Sequence, residues 1–222
     1  NLTSNFSFTE NISKNTAYIS AEKFFSYTGI KNPGINIHIE KVIPVCAGLA
    51  GGSSDAAAVL VGLNELFNTQ LKLDTLAKIG AEIGADVPFC LYGGTMLSTG
   101  IGTTLTSINS MPPCHIILVK PNFSISTKSA YEKVDNFEEK NKKDVKNMIY
   151  SLKNQNLFSI CDTFYNKFEN AFKIEEIFKI KSIFEKNNAI NSCMSGSGPS
   201  VFGVFDNKHS ADICYDEFKQ QY

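Results

Sequence analysis

The chain contains no arginine and no tryptophan, and all 21 of its basic residues are lysines. Without guanidinium groups, the planar two-pronged grip on a phosphate is excluded. Any phosphate has to be held by backbone N–H groups, hydroxyls, lysine ammonium groups or a metal ion. An excess of charge of either sign is also missing. The formal net charge of −1 implies no general polyanion-binding surface, and no nucleic-acid partner is expected. The six cysteines (46, 90, 114, 161, 193 and 214) form no Cys-x-x-Cys pair and lack the spacing of a small secreted domain. They read as reduced, mostly buried thiols of a cytoplasmic protein. His38, His115 and His209 show no metal-ligand spacing. No apolar run approaches the roughly 18 residues of a membrane span. Asn1-Leu2-Thr3, Asn5-Phe6-Ser7 and Asn11-Ile12-Ser13 match a glycosylation pattern that a chain this rich in Asn produces by chance.

What is present suits a packed core. At 222 residues and 43% hydrophobic content the chain can form one large domain or two small ones. Periodicity predicts helices over 16–27, 53–67, 74–83, 126–134, 143–154, 161–172, 175–187 and 209–220. It predicts strands over 35–42, 95–99, 115–119, 190–194 and 201–205. The order lacks a strict βαβ period, which indicates an α+β fold with mixed sheets. Ile108 to Cys114, with its Pro112-Pro113 pair, is the candidate domain boundary. Phe137 to Lys146, rich in Lys and Glu, reads as a solvated loop and helix start.

The most informative stretch is Pro44-Val45-Cys46-Ala47-Gly48-Leu49-Ala50-Gly51-Gly52-Ser53-Ser54-Asp55. It links a strand to an apolar helix through small residues. A helix start presents unpaired N–H groups and the positive end of the helix dipole, and small residues admit an anion to the backbone. The pattern is neither Gly-x-x-x-x-Gly-Lys-Ser/Thr nor Gly-x-Gly-x-x-Gly. The loop alone leaves two readings open, a tight turn with a serine cap or a phosphate site. Ser53 or Ser54 would cap the helix or reach a magnesium ion. Asp55 would interact with the helix dipole.

Three other places carry candidate chemistry. Asp86 lies between Ala85 and Val87 in an apolar stretch, so it is expected to be partly buried. It is either the cap of a short helix beginning at Val87-Pro88 or a general base. Ser195-Gly196-Ser197-Gly198 lies between two strands and reads either as a hairpin loop or as a nest of N–H groups for an anion. Asn15 reads as the N-cap of the first helix.

The resemblance rests on three motifs in order: the Pro44–Ala57 loop, Gly84-Ala85-Asp86-Val87-Pro88-Phe89 with Gly93-Gly94-Thr95, and Met194 to Gly203. Together they resemble the GHMP kinases, and within them the branch whose acceptor is a cytidine-bearing methylerythritol. The resemblance implies a ribosomal protein S5 domain 2-like nucleotide domain (1–111), a ferredoxin-like substrate domain (112–222) and an active site in the cleft between them. It implies transfer of the γ-phosphate of ATP, with magnesium, to the acceptor's tertiary 2-hydroxyl in non-mevalonate isoprenoid synthesis. Pro44, Ala47–Ser54 and Asn15 would meet ATP, with Asn15 near the adenine. Asp86 would be the catalytic base. Thr127, Tyr131, Gly196, Ser197 and Gly198 would meet the substrate, with Tyr131 stacking on the cytosine. The partner is a small molecule, with no membrane and no nucleic acid, and the protein is a monomer or homodimer. Cys46, Ala47 and Ala50 stand where some relatives have Gly, and alanine is expected to serve unless positive φ is required. The Pro-Ala-Lys-x-Asn-Leu motif, whose lysine works with the aspartate in the family, does not occur in this chain. About a quarter of the usual length is expected to precede Asn1, judged by the size of a two-domain enzyme. These 222 residues alone are therefore expected to bind ATP weakly and to show no turnover. The alternatives are another GHMP kinase, of homoserine or mevalonate type, or an inactive nucleotide-binding fragment.

Overall fold

The computed structural model describes residues 1–6, 11–138 and 143–222. Ser7 of the second glycosylation pattern and residues 139–142 of the Lys/Glu-rich stretch lie outside the described residues. The chain divides into two compact units, Asn1–Val45 with Ala50–Ser107, and Cys46–Leu49 with Ile108–Tyr222. A division into consecutive pieces at 111/112 therefore differs from the observed one, because four residues of the Gly-rich loop pack with the later half.

The first unit is built on α1 (Thr16–Thr28) and α2 (Gly51–Leu66). Asn15 caps α1 by accepting from the Ala17 N–H at 2.9 Å, and Gly29 ends it at φ 68. Phe24, Phe25, Ala56, Ala57, Leu60 and Leu63 meet across the two helices. The Ala pair gives α2 a shallow face that admits the two Phe rings. Leu76 and Ile79 of α3 (Leu73–Ala81) and Val87 of α4 (Val87–Tyr92) complete this core. β1 (Leu2–Ser4) runs parallel to β2 (Ile37–Ile39), with Leu2 opposite Ile37. The strand predicted over 35–42 is thus shorter, because its partner offers only three residues. β3 (Met96–Thr99) and β4 (Thr104–Ser107) form a hairpin.

The second unit contains an antiparallel sheet, ordered β5 (His115–Val119), β7 (Val201–Phe205), β6 (Asn191–Met194). The helices α9 (Glu175–Lys186) and α10 (Lys208–Lys219) pack on it through Ile177, Ile180, Phe184, Cys214 and Phe218. A Cβ at Gly203 in β7 would lie 2.2 Å from the Phe184 ring, so that strand position needs glycine to seat the aromatic ring. α5 (Thr127–Asp135) and α6 (Val145–Lys153) precede a break that periodicity did not predict. The helix expected over 161–172 is instead α7 (Leu157–Asp162) and α8 (Lys167–Phe172). Asn166 adopts an extended backbone, and its side chain accepts from the Phe168 and Glu169 N–H groups, restarting the helix.

Among the six free thiols Cys161, Cys193 and Cys214 are buried, Cys90 and Cys114 half-buried, and Cys46 exposed. Burial pushes the Cys161 and Cys193 thiols up to about 12 and Cys214 up to about 11. A raised pKa keeps these thiols protonated at pH 8, and the thiolate is the reactive form. Iodoacetamide at pH 8 should therefore label Cys46 first and leave Cys161, Cys193 and Cys214 unlabelled until denaturant is added, as read by peptide mass spectrometry.

Candidate active site

In the first unit α2 begins at Gly51, two residues before the predicted start. Its N-cap is Ala50, at φ 51 and ψ 26, and no side chain caps the helix. The first helical bond runs from the Ser54 N–H to the Ala50 carbonyl at 2.9 Å. The N–H groups of Gly51, Gly52 and Ser53 have no acceptor among the described residues. The serines consequently do not cap. The Ser54 hydroxyl donates to the Gly51 carbonyl at 2.8 Å. Ser53 makes no hydrogen bond through its side chain among the described residues, so of the two hydroxyls it is the one open to a ligand. The Thr16 hydroxyl donates to the Gly52 carbonyl at 2.7 Å, tying the start of α1, and hence Asn15, to the start of α2.

Lys41 is a residue that sequence reading missed. Its ammonium group lies 2.5 Å from Asp55 Oδ2, with the two side chains 8% and 23% exposed. A Cβ added to Gly51 would lie 3.0 Å from the same nitrogen. Asp55 is therefore neutralised by a near-buried lysine at the very end of α2 where an anion would bind, rather than interacting with the dipole alone. No sequence period connects positions 41 and 55, so only the folded chain reveals the pair.

Asp86 is exposed, contrary to the expected partial burial. The apolar residues after it turn inward while it does not: Val87 and Pro88 are buried, and Val87 packs so closely on α3 that a Cβ at Gly80 would lie 2.8 Å from Val87 Cγ1. Asp86 occupies the N-cap position of α4, yet its side chain makes no capping bond. Its carboxylate makes no hydrogen bond or ion pair among the described residues.

In the second unit the Cys46–Leu49 segment packs on the Gly-rich turn after β6. The Ser195 hydroxyl donates to the Gly48 carbonyl at 2.8 Å, and the Ser200 N–H to the Ala47 carbonyl at 3.2 Å. A Cβ at Gly48 (φ 73) would lie 2.3 Å from the Ser195 carbonyl oxygen. Gly196 and Gly198 take φ 51 and 82, and the Gly198 N–H donates to the Ser195 carbonyl at 2.9 Å. The turn thus offers fewer donors than a four-residue nest. The Gly196 and Ser197 N–H groups have no acceptor among the described residues, whereas Gly198 is engaged. Thr127, the first residue of α5, is exposed. Tyr131 is 57% exposed and meets Phe168 of α8 edge-on, with ring centroids 5.1 Å apart.

No group of three or more His, Cys, Asp or Glu side chains could hold a metal among the described residues. No helix among them is long and apolar enough to cross a membrane.

Cys46 and Ala50 both have positive φ, at 53 and 51, so alanine is strained at position 50. A non-glycine residue there costs about 1–2 kcal/mol, offset by the roughly 0.4–1 kcal/mol that glycine loses through its freer unfolded chain. Ala50→Gly should therefore raise the unfolding free energy by about 0.5 kcal/mol in a urea titration. Gly48→Ala should lower it by more than that, because its Cβ meets backbone rather than a movable side chain.

A sequence profile described as GHMP kinases N terminal domain matches residues 15–94, and one described as GHMP kinases C terminal matches 135–222. The 4-diphosphocytidyl-2-C-methyl-D-erythritol kinase of Caldicellulosiruptor bescii is 46% identical over 202 residues, covering 89% of this chain and 70% of the relative. The protein of the same name from Clostridioides difficile is 44% identical, covering 96% and 71%. A solved 4-(cytidine 5'-diphospho)-2C-methyl-D-erythritol kinase superposes with a TM-score of 0.78 at 27% identity, over 99% of this chain and 78% of that one. Homoserine kinase from Cytophaga hutchinsonii, at 20% identity, shares the fold with a TM-score of 0.83 over 98% of this chain and 78% of its own. Profiles over both halves of the sequence and relatives along most of its length agree, and the chain belongs to the GHMP kinase family.

Proposed function

We propose that the chain carries the phosphate loop, base and acceptor residues of a kinase that transfers the γ-phosphate of ATP to the 2-hydroxyl of 4-diphosphocytidyl-2-C-methyl-D-erythritol, a step of non-mevalonate isoprenoid synthesis. The observation that carries this reading is the 46% identity over most of the chain to a kinase named for that substrate. In a family with several acceptors, identity at that level favours the same one.

The residues support a division of labour. The free N–H groups of Gly51, Gly52 and Ser53 donate to phosphate oxygens at the positive end of α2. They do the work that arginine does elsewhere. The rest of the loop, Pro44 and Ala47–Ala50, shapes the approach. Asn15 spends its side-chain oxygen on the α1 cap and keeps its NH₂ for an acceptor nitrogen of the adenine. Magnesium would arrive with the triphosphate, since it binds through phosphates and few protein groups. The Ser53 hydroxyl would hold it, and it would supply charge neutralisation of the phosphates.

Asp86 accepts the proton of the acceptor hydroxyl as the new O–P bond forms and the bond from Pγ to the β,γ-bridging oxygen breaks. Its exposure and its unused capping position leave the carboxylate available for that proton. On the acceptor side, the Gly196 and Ser197 N–H groups take an anionic oxygen, with Gly198 shaping the turn. Tyr131 stacks on the cytosine and Thr127 bonds a polar edge. The free thiols suit a reducing, cytoplasmic setting.

In the full-length protein, Asp86→Asn should lower turnover by roughly 10²–10⁴-fold while calorimetry finds ATP affinity unchanged. Near-normal turnover would leave Asp86 as a helix-start residue only. Tyr131→Ala should weaken binding of the cytidine-bearing acceptor by roughly 1–3 kcal/mol and spare ATP. Equal weakening of both would indicate lost packing against Phe168 instead. A panel in which homoserine or mevalonate turns over faster than the cytidylated acceptor would overturn the substrate assignment.

A further inference from the structure

α8 is short, yet three of the four residues at its start reach other elements. Asn166 uses its whole amide. Its oxygen accepts from the Phe168 N–H at 2.8 Å and the Glu169 N–H at 3.2 Å. Its nitrogen donates to the Met194 carbonyl at 2.7 Å and the Gly196 carbonyl at 2.8 Å. Glu169, 9% exposed, accepts from the Met194 N–H at 2.7 Å and pairs with Lys181. Phe168 carries the Tyr131 ring.

The sequence Asn166-Lys167-Phe168-Glu169 matches a capping box, in which the Glu would turn back to the N-cap N–H. Here the Glu bonds the strand instead. Met194 ends β6, which among the described residues pairs with β7 alone. Its N–H and carbonyl are taken by Glu169 and Asn166, and the next residue turns back to β7 through the Ser195 N–H to Ser200 carbonyl bond at 2.8 Å. The turn that follows is thus fixed at Met194 and again at Gly196, both from α8. A buried carboxylate and a fully used amide are costly to place without such a role.

We propose that α8 is the template of the acceptor subsite, with Asn166 and Glu169 as positioning residues that hold the Gly196 and Ser197 N–H groups in place. Phe168 orients Tyr131 from the same helix. This rests on the reading that the turn and Tyr131 meet the acceptor. Because Ser195 in turn bonds Gly48, the same helix also steadies the Cys46–Leu49 segment.

The test measures binding of 4-diphosphocytidyl-2-C-methyl-D-erythritol to full-length variants by calorimetry, beside their unfolding midpoints. Asn166→Asp keeps an oxygen for the α8 cap but loses both donors to the turn, and acceptor affinity should fall about tenfold, the scale of one or two hydrogen bonds. Glu169→Ala should do likewise, while Glu169→Gln, which keeps an oxygen for the Met194 N–H, should stay within about twofold of the native protein. If Asn166→Asp does not fold, the Glu169→Ala and Glu169→Gln pair decides. Lower midpoints with unchanged acceptor affinity in both disruptive variants would overturn the positioning role. Gly196→Ala and Tyr131→Ala separate the two levels. If they also leave affinity unchanged, the acceptor reading itself fails. If they weaken it while Asn166→Asp and Glu169→Ala do not, only the role of α8 fails.

Discussion

Leaving the N–H groups of Gly51, Gly52 and Ser53 without an acceptor among the described residues costs stability that an ordinary capping side chain would recover, about 1 kcal/mol. The surroundings keep them open. Ala50 turns into the left-handed region, which starts the helix early and moves both serines past the capping position. Ser54 satisfies itself on the Gly51 carbonyl, and Thr16 occupies the Gly52 carbonyl. Lys41 removes the one negative charge in the first two turns, Asp55, from the field an incoming anion would feel. A capped helix with a free Asp55 would be a more conventional solution for stability and a poor one for a triphosphate.

The second unit solves a different problem by the same means. Its turn at 195–198 is held by side chains that bond main-chain groups, and Gly48 fits only because it lacks a Cβ. Buried Glu169 is tolerated because it has an ammonium group and an amide N–H as partners. In both units the side chains that matter most are those that set the shape of exposed backbone.

Much of this was legible in the sequence, and the exceptions have physical causes. The helix after the Gly-rich loop, the strands of the second unit and α9 and α10 follow from periodicity, because each buries one face. The break at 163–166 was hidden, since apolar spacing runs across it, although Asn166-x-x-Glu169 marks a helix start. β1 was hidden because three residues carry no readable period. Asp86 was expected to be partly buried because its neighbours are apolar. A helix start lets Val87 go inward while the residue before it stays in solvent. Ala50 was expected to serve in place of glycine, and it does so only at positive φ. The Lys41–Asp55 and Glu169–Met194 contacts join residues far apart in the chain, with no local signal that pairs them.

The row of amide donors at the start of α2 has a consequence for how such a site changes over generations. A phosphate site made of side chains is lost one codon at a time, since any substitution removes a ligand. Amide hydrogens belong to every residue except proline. Replacing Gly51 or Gly52 leaves the donor itself in place, and damage comes only through bulk or altered backbone angles. A lineage drifting toward lysine and away from arginine could therefore keep its nucleotide site while its surface was rewritten around it.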